Sequence, residues 1–487
     1  MSPQSGRRKG RSETPGHTVM TTLIVVGAGM AGLPCAIRAA DQGAHVILIE
    51  AANAVGGKLP RSSGQISAAG TRLQRSKGIA DSTDEHFAEV MRHCHDTADA
   101  ALVHLAVDNA AATVDWLLDI GVRFPETHPV ISYNHDVYRT RRYQWPVEKG
   151  RSILEALGPL LGAHINAGRI DLRRHTEMTA IRRDASGEVD AILVRGPDGK
   201  VATLKGDAYV LACGGYTNDP DLFRELTPHK PVYAAKIPIS TGKGLRVALA
   251  AGLRVDGGDL YMGMLGGVLA DPDNPLSVEF ALNTVPQDRP PWEIWVNRSG
   301  ERFTREDHPS ATHREHAVNA QEDLVFYIVF DEGIRQNAPP IAAARDAGLR
   351  ELIDSNPAYM EGATIEELAD RMGVPGDRLA NTVDHYNKFV AMGEDTAFHR
   401  ESLPRAIDTP PYYAIRSVAF AMPSPAGVAV DENLNALDAE GRAVTNLYAA
   451  GEIIGNTRLM GNAYVSGMGV GPTLTFGRLL GERLGRG

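Results

Sequence analysis

The sequence predicts an α/β fold: a doubly wound, Rossmann-like sheet with an inserted α+β cap domain. Three observations predict it. An apolar strand, Leu23-Ile-Val-Val26, runs into Gly27-x-Gly29-x-x-Gly32 where a helix opens. A second apolar strand, His45-Val-Ile-Leu-Ile49, ends in Glu50, eighteen residues after the last of those glycines. The strand-helix alternation breaks off near residue 235, in a stretch richer in Pro and loops, and short apolar strands return after Pro410.

Taken in order, residues 1–19 are basic and rich in Ser, Pro and Gly with no apolar run. They are expected to be a disordered tail, or an extension ahead of a start at Met20. Arg7-Arg8 precedes Leu23–Val26, but processing there as a signal peptide would remove the first strand of the sheet. In the glycine motif, Gly27 permits the tight turn, Gly29 lets the backbone approach a pyrophosphate at the helix N-terminus, and Gly32 lets helix and strand pack closely. Glu50 can hold ribose hydroxyls. Strand, helix, strand and acid together specify a dinucleotide site far better than the glycines alone.

Which dinucleotide is decided further along. Ala51-Ala-Asn-Ala-Val-Gly56-Gly57 follows the acid, and Val444-Thr-Asn-Leu-Tyr-Ala-Ala-Gly451-Glu452 ends an apolar strand in a small-small-Gly-acid corner. That pair points to FAD, whose extended length needs a second close backbone approach from a distant strand of the same sheet. Asp207-Ala-Tyr-Val-Leu-Ala-Cys-Gly214-Gly215 reads as another strand closing on a glycine pair beside it. Between these lie a helical stretch over Ser82–Gly121 and a hairpin-like region from Leu172 to Ala208 around Pro197-Asp-Gly199. Amphipathic helices are expected over Thr364–Met372 and Arg378–Met392, and a last helix over Thr473–Leu484. The expected division is a tail (1–19), a first FAD-binding part (20–234), a substrate or cap domain (235–410) and a second FAD-binding part (411–487). Such an insertion puts a cleft over the cofactor.

Composition narrows the partners. A chain of 487 residues with 43% hydrophobic residues has ample material for a core. The net charge of −10, with no basic stripe in the body of the chain, argues against nucleic acid and anionic membrane. No run approaches the roughly eighteen apolar residues of a membrane span. Cys35, Cys94 and Cys213 form no CxxC pair, so no metal or disulfide framework is expected and a cytoplasmic location is the reading.

Several segments carry a family resemblance. Gly56-Gly57, Ser63-Gly64-Gln-Ile-Ser-Ala-Ala-Gly70, Gln74–Ser82, Val114-Asp-Trp-Leu117, Leu211–Tyr216, Gly242-Lys-Gly-Leu245, Val296-Asn-Arg-Ser-Gly-Glu-Arg-Phe303 and Leu447–Glu452 run collinearly. Together they resemble the soluble fumarate reductase and 3-ketosteroid dehydrogenase flavoproteins. The resemblance implies an FAD-dependent oxidoreductase acting on CH-CH groups. Its expected cofactor contacts are Gly27, Gly29, Met30, Ala31, Gly32, Glu50, Gly56, Gly57, Lys58, Ser63, Gly64, Gly214, Gly215, Gly451, Glu452, Pro472, Thr473 and Leu474. The family's membrane-complex relatives attach FAD to an early histidine. Lys58–Gln65 has none, so noncovalent FAD is implied.

The two branches of the family call for different chemistry. Met460-Gly-Asn-Ala-Tyr464-Val-Ser-Gly467-Met-Gly-Val-Gly471-Pro472 is similar to the ketosteroid dehydrogenase ending, where a tyrosine hydroxyl and a glycine N–H polarise the substrate ketone. That likeness implies Tyr464 and Gly467 as oxyanion donors, although one residue fewer than expected separates Tyr464 from Gly471-Pro472. Arg458, in Thr457-Arg-Leu-Met-Gly-Asn-Ala463, instead resembles the arginine that clamps a carboxylate in fumarate reductases. The family's proton-transfer side chain lies seven residues after the Phe of Asn-x-x-Gly-x-Arg-Phe, and here that position is Ser310. Serine alone is a poor acid or base near neutral pH. His308, His313 and Glu306 are the candidate replacements, with histidine favoured on intrinsic pKa. Met422-Pro-Ser-Pro-Ala-Gly-Val428 lacks the histidine of fumarate reductases, which argues against fumarate itself as substrate.

The expected activity is therefore introduction of a double bond α,β to a ketone of an alicyclic or steroid-like small molecule, with hydride passing to the flavin. Enoate or enone reduction of the fumarate reductase type is the first alternative, and an electron-transfer flavoprotein subunit is the second. The electron acceptor or donor is unidentified, and metal ligands are absent from the expected site.

Overall fold

The computed structural model describes residues 20–235, 237–341 and 348–486. The basic tail lies outside them. The first sheet has the order Asn435–Leu437, Ala443–Ala449, Ala208–Leu211, Thr22–Val26, His45–Ile49, Ile170–Arg173. Every neighbouring pair is parallel except the first, which is antiparallel. Thr22–Val26 and Ala208–Leu211 are almost wholly buried, because helices and a second layer cover the sheet on both faces. From Thr22–Val26 the chain moves outward on one side to His45–Ile49 and Ile170–Arg173, then crosses to the other side at Ala208–Leu211. That reversal opens a crevice at the carboxyl ends of the strands, the usual ligand position in such sheets.

Two helices run side by side from this crevice. Gly32–Asp41 starts directly after the glycine motif, and Val470–Leu484 packs along it. A side-chain carbon on Gly477 would lie 2.1 Å from the Ala31 carbonyl oxygen, and one on Gly481 would lie 2.3 Å from that of Cys35. Both partners advance by four residues, so the helices are parallel and their N-termini sit together at the crevice. The region around Pro197-Asp-Gly199 forms a three-stranded antiparallel sheet, Glu177–Arg183, Val189–Arg195 and Val201–Leu204. The expected stretch Ser82–Gly121 divides into Thr83–His93 and Ala100–Asp119, capped by Ser82 and Asp99.

The second sheet is antiparallel, in the order Val278–Phe280, Met264–Leu269, Tyr412–Phe420, Val325–Asp331, Ile294–Val296, with Tyr359–Gly362 also pairing with Tyr412–Phe420. Tyr412–Phe420 pairs along its length with Val325–Asp331, so the chain returns to the first sheet only after Phe420, later than the expected residue 411. The expected helices stand here as Ile365–Met372, capped by Thr364, and Gly376–Met392. The helix Ala311–Asn319 packs on this sheet and faces the first domain: the His316 ring nitrogen bonds the Asn462 carbonyl at 2.9 Å. Among the described residues no helix is long and apolar enough to cross a membrane.

Candidate active site

The site has a cradle at one end and a polar constellation at the other. In the cradle Gly27 has φ +103°, and a side chain there would meet the Ala212 carbonyl oxygen at 2.4 Å. On Gly32 it would lie 1.8 Å from the Gly27 oxygen, so only glycine lets this helix start so close to the strand. Gly57 lies against Gly29: a side-chain carbon on it would come within 3.2 Å of the Gly29 Cα. Met30 and Ala31 complete this turn, and Gly451 closes it from the far strand beside Ala31 and Thr473. The Thr473 hydroxyl and N–H both donate to the Gly469 carbonyl, and Pro472 and Leu474 are buried in the same first turn. Glu50 accepts the Ala28 N–H at 2.9 Å and the Ala52 N–H at 2.8 Å, which leaves lone pairs on both oxygens.

Lys58 and Glu452, expected as separate cofactor contacts, meet each other: Nζ lies 2.5 Å from Oε2. Burial alone would raise the Glu452 carboxyl, but the Lys58 ammonium and the Ser424 N–H and hydroxyl, each at 2.9 Å, outweigh it and hold it below the usual range. Gly215 makes room for this pair, since a side chain there would reach Ser424 Oγ at 2.1 Å. Gly214 has φ +78° and open space beside it. Gly64 packs on the Gly150 backbone, Gly56 donates to the Ala28 carbonyl at 2.7 Å, and Ser63 is half-buried between them. Bare backbone facing two helix N-termini, with carboxylates at either end, fits an FAD.

At the other end Tyr464 stacks on His135, with centroids 4.5 Å apart and planes at 25°. Burial, and then the Glu452 and Glu315 carboxylates, push its phenol up to about 12. Its hydroxyl therefore stays protonated, and it makes no hydrogen bond among the described residues. Burial drives His135 down to about 4 against the opposing pull of Asp136, so the stacked imidazole is neutral. Gly467 has φ +76° and lies against the short strand Ile66–Ser67, where a side chain would meet the Ser67 nitrogen at 2.2 Å.

Ser310 is the N-cap of Ala311–Asn319. Its Oγ accepts the His313 N–H at 3.0 Å and donates to Asp136 Oδ2 at 2.9 Å. It lines a cavity of about 790 Å³ together with His95, His308, His313, His316 and Phe398. The His308 and His313 rings stack at 3.9 Å, and both are held below the usual histidine range, first by burial and then by neighbouring histidines. His308 Nδ1 accepts the Ser310 N–H at 3.1 Å. On the buried side of the same helix, Glu315 has no hydrogen bond or ion pair among the described residues, and burial pushes its carboxyl up to about 8, with Asp136 adding and Arg314 opposing.

Arg458, Arg305, which lines the cavity, and Arg314 are all occupied by protein partners. Arg458 pairs with Asp99 and, at 3.3 Å, with Asp256. Arg305 is held by Asp307 and Glu401, each at 2.8 Å, and Arg314 donates to the His308 carbonyl at 2.9 Å and to that of Thr284. Glu306 is buried against Arg302 and accepts the Trp295 N–H at 3.1 Å, a structural commitment. The structure thus brings Ser310, His308 and His313 together, with Tyr464 joined to them through His135 and Asp136, and sets Arg458 and Glu306 in ion pairs. His135, Asp136, Glu315 and Ser424 were not singled out from sequence. The first two lie in an irregular loop without motif or period, whereas Glu315 stood in plain view five residues beyond Ser310.

This fold and cradle define the class of FAD-dependent oxidoreductases. A family model described as an FAD binding domain matches residues 22–467. The chain belongs to that family. It is 31% identical to a fumarate reductase (cytochrome) of Shewanella frigidimarina over 491 aligned positions, covering 98% of this chain and 79% of that one. It is 28% identical to the vinyl phenol reductase of Lactiplantibacillus plantarum, covering 88% and 89%. The fold matches a 3-ketosteroid Δ1-dehydrogenase from Sterolibacterium denitrificans with a TM-score of 0.74 at 20% identity, covering 96% of this chain and all (100%) of that one.

Proposed function

We propose that the protein introduces a double bond α,β to a ketone of an alicyclic or steroid-like substrate. The observation that carries this reading is the contrast between Tyr464 and Arg458. The Tyr464 hydroxyl is protonated and has no partner among the described residues, as a donor to a developing oxyanion requires, whereas Arg458 is committed to Asp99 and Asp256. Tyr464 and the Gly467 backbone would polarise the ketone, and the Ser310 region would move the α-proton. Bound FAD, held noncovalently by the cradle, supplies the two-electron acceptor for the β-hydrogen. A separate electron acceptor or donor completes turnover, and the three free thiols suit a reducing, cytoplasmic setting.

Enoate reduction is the second reading, favoured by the 31% identity to the fumarate reductase. One experiment separates the two. The holoenzyme is mixed anaerobically with saturated cyclic ketones, and dithionite-reduced enzyme with enones and enoates, while the flavin absorbance is followed. Bleaching by ketones is expected. Reoxidation by enoates alone, with no response to ketones or enones, refutes the first reading.

A further inference from the structure

Ser310 stands where the family resemblance puts a proton-transfer side chain, yet a serine hydroxyl with an ordinary pKa is a poor base. Its hydrogen bonds change that assessment. A hydroxyl has one hydrogen and two lone pairs. The hydrogen points to Asp136 Oδ2 at 2.9 Å and one lone pair takes the His313 N–H at 3.0 Å. The remaining lone pair belongs to a residue that lines the cavity of about 790 Å³. Asp136 is held in its place by the Thr312 N–H, 3.4 Å from Oδ1, at the positive N-terminus of the helix Ala311–Asn319. The preceding residue, His135, stacks on Tyr464. Two consecutive loop residues therefore tie the ketone-polarising tyrosine to the serine at the proton-transfer position.

We propose that Asp136 is the proton acceptor of this site, working through the Ser310 hydroxyl. The proposal rests on the CH-CH oxidoreductase reading above. The α C–H bond breaks as its proton moves to Ser310 Oγ, and the serine's own proton moves to Asp136. The released electron pair becomes the C=C bond as the β-hydrogen leaves as hydride to the bound flavin, and Asp136 then returns its proton to water. Substrate loses two electrons and two hydrogens. Charged or titratable groups face Asp136 from each side: His93 from the helix Thr83–His93, His313, Arg314 and Glu315 from the cap helix, and His135 from its own loop.

The test uses holoenzyme carrying Asp136→Asn, Asp136→Glu, Ser310→Ala or the double change Asp136→Asn with Ser310→Ala. Flavin bleaching by cyclohexanone and by a saturated 3-ketosteroid is followed against pH, and deuterium uptake at the ketone α-carbon in D2O is followed by NMR. FAD content and spectrum report folding. General acid-base transfer typically contributes about 100-fold or more. Asp136→Asn should therefore lower bleaching and exchange by about 100-fold and remove the acidic limb of the pH profile. Ser310→Ala should fall as far, and the double variant no further, while Asp136→Glu recovers part of the rate. If Asp136→Asn fails to retain FAD, Asp136→Glu and Ser310→Ala decide. Wild-type-like exchange in either Asp136→Asn or Ser310→Ala, or an acidic limb that persists in Asp136→Asn, overturns the proposal alone. Should the wild type respond only to enoates, the ketone reading fails. The same variants, read as reoxidation rates, then decide whether the pair delivers the proton in reverse. A wild type silent to ketones, enones and enoates overturns both.

Discussion

Replacing Tyr464 with Phe removes one oxygen from the site and little else. The ring stack on His135, at 4.5 Å and 25°, is kept, because phenylalanine presents the same face. The hydroxyl has no partner among the described residues, so its removal orphans no protein group. The usual confounding cost of such a change, roughly 1–3 kcal/mol for a stranded buried donor or acceptor, is therefore missing. What remains, on the proposed role of Tyr464, is the hydrogen bond it would donate to a substrate oxygen that gains charge in the transition state. Removing one such donor typically costs about 3 kcal/mol, or roughly 100-fold in kcat. Because the phenol is pushed up to about 12, it stays protonated through any assay near neutrality, and the loss should be the same at pH 6 and pH 9. Stopped-flow bleaching of the flavin by a ketone that the wild type oxidises measures it, with FAD content as the control. Turnover within threefold of wild type would reduce Tyr464 to a packing residue.

Other changes test the rest of the site. Arg458→Lys should lower the thermal midpoint by a few degrees, because an ammonium cannot span two carboxylates, and should leave KM within about twofold; a KM rise of roughly tenfold or more would restore the substrate clamp. Glu315→Gln should alter stability with a defined sign. With its folded pKa near 8 against an ordinary 4.5, the native state binds the extra proton between those values, so the wild type should lose stability relative to the variant as pH rises from about 5 to 8. The full separation is at most roughly 5 kcal/mol, and parallel denaturation curves for the two proteins would exclude it. Gly32→Ala should yield protein without FAD, since the added carbon meets the Gly27 oxygen at 1.8 Å; a yellow, folded variant would show that this helix can shift. Acid denaturation of the wild type should release unmodified FAD, and flavin remaining on the chain would overturn noncovalent binding.

Local pattern was enough to read the cofactor half of this protein. Glycine spacing, apolar runs and a terminal acid are all short-range features, and each has a direct backbone consequence. Gly27 and Gly32 are glycines because of atoms brought close by the turn they make and by the strand beside them, and Glu50 ends the next strand of the same unit. The helix after Thr364 followed from its period, whereas the break before Asp99 inside the stretch Ser82–Gly121 did not. The reacting end needed tertiary structure, because its members are drawn together by packing between segments far apart in the chain. Arg458 and Asp256 are 202 residues apart, so a motif could identify the guanidinium but not the carboxylates that occupy it. Asp136 sits 174 residues from Ser310 in a loop with no periodicity, and only the docking of the cap helix on that loop joins them. Glu315 reads as an ordinary helix acid until burial raises its proton affinity, and burial is a property of the whole fold.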